Sequence, residues 1–434
     1  YRSQYDSGDG DQLIRMVEAG VIYVQTELLS QAIFHYAYVM LKSFGWDGFR
    51  VVNLVSCIAG ALSVWVLIKF NTHYVGTNPL WILGLFASSG LLLFCNGHTE
   101  YYTLFLITLF YYGYTGVGYL RGRISSVHVA LAFSLAAWMH LGILFAFPTL
   151  LLLPLLRKRW SDYSGIACGL VLLAAAFALK DFSQIFGVDV HGLSPSKNFI
   201  PLFDDPTRER FYLMFQWGHL YDYLYGWTMR SWIFWPLIGW SILLFGWRSL
   251  MKPERFFLLL YTLAFTFFTI TWHPNLGIHQ DWDLYAIESA PCLLLLATYL
   301  PDLVKIHFRR VAILIPMLTS LLIGYEQLHR EAHFGTRGCG NLKCVLSEKI
   351  PCQINLNGHL KKLNNMGIRE GVYEGRLRNV LHMRSHFFYA VVSPNRETTV
   401  FFHVGAQEGR GGPDRYLDET MTKLRLSADD AFEQ

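Results

Sequence analysis

Val51–Lys69 reads VVNLVSCIAGALSVWVLIK, an apolar run whose only charged side chain is its last. As an α-helix a run of this length rises about 28 Å, close to the roughly 30 Å of hydrocarbon in a bilayer. Similar runs follow almost end to end as far as Tyr325, near 79–95, 102–120, 126–140, 142–156, 164–180, 231–247, 256–272, 284–300 and 310–325. The two around His140 are short and nearly abut, which predicts a tight hairpin or helices that do not fully cross. The pattern predicts an all-α polytopic membrane protein of about ten spans.

Composition agrees. Of 434 residues, 53% are apolar and only 16% charged, with a mean hydropathy of +0.29. A soluble globule carries about 25% charged residues, so that class is excluded. The apolar load excludes disorder, and no short period supports a coiled coil or collagen. A net charge of +4 is too small and too scattered for a nucleic-acid partner. Seven cysteines show no metal or redox spacing; Cys339, Cys344 and Cys352 fall on the outer side, where oxidation is permitted, and no pairing follows from the spacing.

Basic residues accumulate on the cytoplasmic side of short loops. Lys69, Arg121 with Arg123, Arg157-Lys158-Arg159, Arg248 with Lys252 and Arg255, and Lys305 with Arg309 and Arg310 occupy alternate loops, which marks that side as cytoplasmic. The opposite loops, Asn96–Glu100, Met139–Leu141 and His273–Asp283, hold no Lys or Arg. Only His73, His128 and His307 of the sixteen histidines fall on the inner side.

Three regions lie outside the spans. Residues 1–49 form a first outer loop, rich in carboxylates, with surface helices at 11–19 and 27–43. Residues 50–328 form the membrane domain, with an aromatic-rich outer loop at 181–230 that ends in an interfacial helix from Arg208 to Tyr225. Residues 329–434 are a small α+β extracytoplasmic domain, with strands at His386–Val392 and Thr398–Val404 and a helix near Leu417–Leu424. The chain starts at Tyr1, and an additional N-terminal span is expected ahead of it, because the acidic first loop must reach the outer side.

Ionisable residues near hydrocarbon are costly and cluster at sites. Asp9 and Asp11, in Gly8-Asp9-Gly10-Asp11, are either a solvated turn or two carboxylates able to take a proton from an incoming hydroxyl and orient it. The run His279-Gln280-Asp281-Trp282-Asp283, preceded by His273, is either an acidic helix N-terminus or a seat for a phosphate, or for a divalent cation through Asp281 and Asp283. Asn96–Tyr102 is either a helix start capped by Thr99, with Glu100 in its first turn, or part of the same outer cluster with His98. His140 either meets a phosphate or is satisfied by a backbone carbonyl. Glu27 heads a helix that either faces a site or is merely amphipathic. Glu288 is the most deeply buried carboxylate by hydropathy and is expected to have a partner. The tryptophans around 217–235 are first an interface belt, with sugar stacking as the lesser alternative.

An acidic first outer loop with two surface helices, followed by many spans with their polar motifs on the outer face, resembles the GT-C superfamily of integral membrane glycosyltransferases over residues 5–325. The resemblance implies transfer of a sugar from a polyprenyl-phosphate-linked donor to a glycan, lipid or protein acceptor on the outer face. It implies a first-loop acid, Asp9 or Asp11, as base, and Arg15, His98, His140, His273 and His279 around the donor phosphate. Glu27, Glu100, Asp281, Asp283 and Glu288 are the residues expected to hold the rest of the substrate. This chain departs from the family in spacing its two acids by a glycine and in its 330–434 tail. Membrane lipids are the other expected partners, no cofactor is demanded beyond the open question of a divalent cation, and the expected place is the bacterial inner membrane or the endoplasmic reticulum. The alternative function is a transporter or flippase of lipid-linked sugars, against which stands the absence of a clear internal repeat or broken midplane helix; a membrane scaffold is the third class.

Overall fold

The computed structural model describes residues 10–175, 234–272 and 282–305 apart from single positions within them, scattered positions from 178 to 224, and the backbone of strands at 371–379, 384–392 and 399–404. The chain divides into two compact units: residues 1–199, 221–272 and 278–336 form one, and residues 200–220, 273–277 and 337–434 the other.

In the first unit the two helices expected in residues 1–49 fall where hydrophobic spacing puts them, α1 at Gly10–Glu18 and α2 at Leu28–Lys42. Leu13 and Val17, one turn apart, are fully buried on α1, while Arg15 stands exposed on the other face. The long helix α3 spans Gly48–Phe70 and starts at Asp47, whose carboxylate accepts from the Arg50 amide at 2.8 Å. This satisfies one of the orphan donors at a helix start. The helix ends in a π-helical turn, Asn71–Val75, closed by Gly76 at φ 73°.

Among the described residues several expected spans are broken. The 79–95 run splits into α4, Pro79–Ala87, and α5, Leu91–Phe94. Ser88 and Ser89 turn their hydroxyls back onto the carbonyls of Leu85 and Phe86, a local alternative to the helical ladder that ends the helix. Next come α6, Tyr102–Leu120, and α7, Ser126–Met139, as expected. The 142–156 run is then a 3₁₀ stretch, Leu141–Ala146, leading into α8, Phe147–Arg157. It is followed by α9, Asp162–Gly169, α10, Phe234–Phe245, and α11, Trp247–Leu250. The helix α12, Pro253–Thr271, is continuous. The 284–300 run is replaced by three short helices, α13 at Trp282–Ala286, α14 at Ser289–Ala297 and α15 at Leu300–Val304, with Glu288 in the first break. The 310–325 run lies outside the described residues. Among those described, two helices, Gly48–Val75 and Pro253–Thr271, are long and apolar enough to cross a membrane.

The centre of the unit is α6. Tyr112 sits edge-on to Phe133, Phe257 and Tyr261, with ring centroids 5.3, 5.8 and 5.2 Å away, the arrangement the ring quadrupole favours. Both tyrosine hydroxyls are satisfied, Tyr112 with Thr149 at 2.9 Å and Tyr261 donating to the Leu109 carbonyl at 3.1 Å. Gly113 and Gly116 allow this closeness. A Cβ at Gly113 would stand 2.3 Å from Leu294, and one at Gly116 would stand 2.4 Å from the Phe257 ring. Small residues of this kind let membrane helices approach.

In the second unit the strands β1, Gly371–Asn379, β2, Arg384–Val392, and β3, Thr399–Val404, form an antiparallel sheet in the order β1-β2-β3. Val391 pairs with Val372 on one side and Val400 on the other. The expected strands are β2 and β3. Glu374, Arg376 and Arg378 lower the apolar signal of β1, which the hydropathy reading missed. The expected helix near 417–424 and most of that at 208–225 lie outside the described residues.

Candidate functional site

At the start of α1 the backbone comes so close to Thr99 that a Cβ on Gly10 would stand 2.7 Å from the Thr99 carbonyl oxygen. This brings Gly10, at the start of α1, to the loop that carries His98 and Glu100. Asp9 lies outside the described residues, and of Asp11 only the backbone, in the first turn of α1, is described. His98, Thr99 and Glu100 are each only 3% exposed. The capped helix start expected there is not formed, because α6 begins at Tyr102 with Tyr101 as its cap residue. Burial of three polar side chains in succession turns this loop inward, with the His98 ring edge-on to Phe94 at 5.7 Å.

The two residues after that loop reach the next feature. The Tyr101 hydroxyl donates to the Gln31 side-chain oxygen at 2.7 Å, and the Gln31 amide donates to the Val21 carbonyl at 2.7 Å. The Tyr102 ring lies 5.2 Å from that of His140. His140 ends α7 in an extended conformation, φ −161°. There the Leu141 amide donates to the Thr26 carbonyl at 3.0 Å, and Ser30 donates to the Met139 carbonyl at 2.9 Å. The segment before α2 and the first turn of α2 are thus fastened to the α7 terminus.

His140 and Glu27 meet inside this junction. The Gly142 amide donates to His140 Nδ1 at 2.9 Å, so the ring proton belongs to Nε2 in the neutral imidazole. Nε2 faces Glu27 Oε1 at 3.2 Å, with side-chain exposures of 8% and 10%. Thr26 donates its hydroxyl to the other carboxylate oxygen. Phe105 closes the remaining side, its ring 5.0 Å from the imidazole. The partner of His140 is therefore a carboxylate together with a backbone N–H, and not the backbone carbonyl weighed from sequence.

The helix α12 separates this junction from the second buried carboxylate. Its Phe265 side meets Phe105 at 6.3 Å, while Thr266 and Thr269 turn to Glu288. Glu288 accepts from Thr266 at 2.8 Å, Thr269 at 2.7 Å, Trp235 Nε1 at 3.2 Å and the Tyr223 hydroxyl at 3.3 Å. It is 2% exposed, and all its partners are neutral. The expected partner is thus a set of four donors, the number of lone-pair sites a carboxylate offers.

His273, His279 and Asp281 lie outside the described residues, as does the side chain of Asp283. Among the described residues no three His, Cys, Asp or Glu side chains gather as metal ligands. The Glu27–His140 pairing escaped the sequence reading because the two segments are over a hundred residues apart and neither carries a motif naming the other.

No protein-family model and no curated protein matches the chain. A crystal structure of ArnT from Cupriavidus metallidurans bound to undecaprenyl phosphate aligns with 78% of this chain and 68% of its own, at 12% identity and a TM-score of 0.44. A likeness this shallow transfers neither a residue nor an activity, and the site rests on its own geometry.

Proposed function

We propose that the chain is an integral membrane glycosyltransferase that moves a sugar from a polyprenyl-phosphate-linked donor to an acceptor hydroxyl on the non-cytoplasmic side. The observation that carries this reading is the segregation of polar chemistry along α6. Its Tyr102 end adjoins the Gly10 end of α1, the His98–Glu100 loop, Glu27 and His140. Its Leu120 end adjoins the basic turn at Arg121–Arg123, and Arg121 pairs with Glu254 at 3.2 Å. The helix between them rises about 28 Å, one hydrocarbon thickness.

In the proposed reaction Asp11 or Asp9 takes the acceptor proton as the hydroxyl oxygen attacks the anomeric carbon. The bond from that carbon to the phosphate oxygen breaks, with inversion, and the polyprenyl phosphate leaves. Positive charge on the sugar and negative charge on the departing phosphate both need preorganised partners. His98, with Arg15, His273 and His279, is assigned to the phosphate. Glu100, Asp281 and Asp283 are assigned to the sugar and acceptor, or to a divalent cation in the case of the two aspartates. Glu27 and His140 already satisfy each other, and Glu288 is enclosed by donors, so these three are assigned as positioning residues for the wall of the site.

The test is transfer in proteoliposomes with a panel of polyprenyl-phosphate sugars, set against nucleotide sugars. Asp11→Asn is expected to lower transfer by about 10²–10⁴-fold, the usual worth of a positioned base, with Asp9→Asn as its companion. Full transfer by the double variant would sink the assignment. Movement of the donor across the bilayer without transfer would establish the flippase instead.

A further inference from the structure

The basic end of the same helices holds a second cluster that the transfer reaction does not use. Tyr111 and Tyr114, one turn apart on α6, stack with centroids 6.3 Å apart. The Tyr114 hydroxyl bonds His73 Nδ1 at 2.8 Å, and the Tyr111 hydroxyl bonds His128 Nε2 at 2.5 Å. Two of the three inner histidines therefore converge on one helix edge, and both are exposed. Each keeps its second ring nitrogen without a protein partner among the described residues.

Beside them the Tyr74 ring, 5.0 Å from Tyr114, carries two guanidinium groups, Arg121 at 5.3 Å and Arg123 at 5.9 Å from its centroid. Arg121 is paired with Glu254. Arg123 donates to the His73 carbonyl at 3.1 Å and has no carboxylate partner among the described residues. Lys69 follows on the neighbouring helix end, its ammonium 5.7 Å from the Trp65 ring. The cluster thus combines surplus positive charge with free donors.

Apolar surface lies directly beyond it. Trp65, four residues before Lys69 on α3, is 55% exposed, and Leu131, three residues after His128 on α7, is 41% exposed. Both stand about one turn nearer the middle of their helices than the polar groups. An amphiphile fits this order, with its anionic head at the Arg and His donors and its chains along Trp65 and Leu131.

We propose that the exposed edge of α6, with the end of α3 and the start of α7 beside it, is a seat for an anionic phospholipid of the cytoplasmic leaflet. Its phosphate is bound by Arg123, Arg121, His73 and His128. The seat rests on the membrane reading of the proposed function, and Arg123 is its principal anion-binding group. Guanidinium suits phosphate because its fork of N–H donors matches the oxygen geometry, and a cation near an anionic membrane surface is worth about fivefold in binding.

Native mass spectrometry of the full chain, released from micelles with phosphatidylglycerol or phosphatidylcholine, tests the seat. The wild type is expected to retain phosphatidylglycerol in preference, and Arg121→Gln/Arg123→Gln to lower its occupancy by roughly fivefold for each guanidinium removed. His128→Ala, which breaks no ion pair, should weaken retention in the same sense, while Arg248→Gln/Lys252→Gln on another basic loop should not. Equal retention of the two lipids, unchanged retention in both the arginine and the histidine variants, or complete displacement by millimolar inorganic phosphate would overturn the lipid seat. Transfer measured on the same preparations separates the two proposals. Retained lipid without transfer leaves the seat standing and removes the enzyme, and transfer without selective retention does the reverse.

Discussion

Glu27 and Glu288 are the same residue type, buried in the same helical unit, and they are solved in opposite ways. Glu27 depends on a single histidine and one neighbouring hydroxyl. Glu288 spreads its acceptor capacity over Tyr223, Trp235, Thr266 and Thr269, which come from three separate stretches of chain. Loss of one partner leaves Glu288 with three, whereas Glu27 loses most of its compensation at once. The first arrangement concentrates the energetic risk, and the second distributes it.

The largest expected effect follows from that concentration. His140→Ala strands the Glu27 carboxylate and removes a ring packed by Tyr102 and Phe105, so unfolding in mixed micelles should show a loss of about 3–5 kcal/mol, the cost of a buried carboxylate that loses its donor together with the packing of an aromatic ring. Glu288→Gln should cost less, about 1–3 kcal/mol, because its NH₂ then confronts hydroxyl and indole donors. Equal losses at the two sites would erase the contrast. The smallest effect sharpens it. Tyr101→Phe removes one neutral hydrogen bond to Gln31 at the edge of the first junction, and about 1 kcal/mol in the same unfolding experiment would set the scale for a single neutral bond there.

Hydropathy and helix periodicity made α1, α2, α3, α6, α7 and α12 legible, since each is an apolar or amphipathic run bounded by polar residues. Breaks were harder to read. Averaging over the 79–95 run hid Ser88-Ser89-Gly90, and averaging over 284–300 hid the interruption at Glu288, although each interruption is short and polar. Within the site, Glu27, His98, Glu100, His140 and Glu288 were all visible individually as ionisable residues in apolar surroundings. Their partners were not. Thr266, Thr269, Tyr223 and Trp235 look like ordinary helix and interface residues, and nothing local to His140 points to Glu27. The tyrosines of α6 were equally silent, because Tyr111 and Tyr114 read as part of a span until His73 and His128 are brought to them by folding.

The Ser30–Met139 hydrogen bond joins residues separated by 109 positions, and this has a consequence for biosynthesis. At 5–20 residues per second, a ribosome needs on the order of 5–20 s to travel from one partner to the other. Through that interval α2 has been made but cannot be fastened, and Glu27 must wait in a hydrated environment for the histidine that will enclose it. Completion of this junction is therefore timed by emergence of α7, while about two thirds of the 434-residue chain is still to be made.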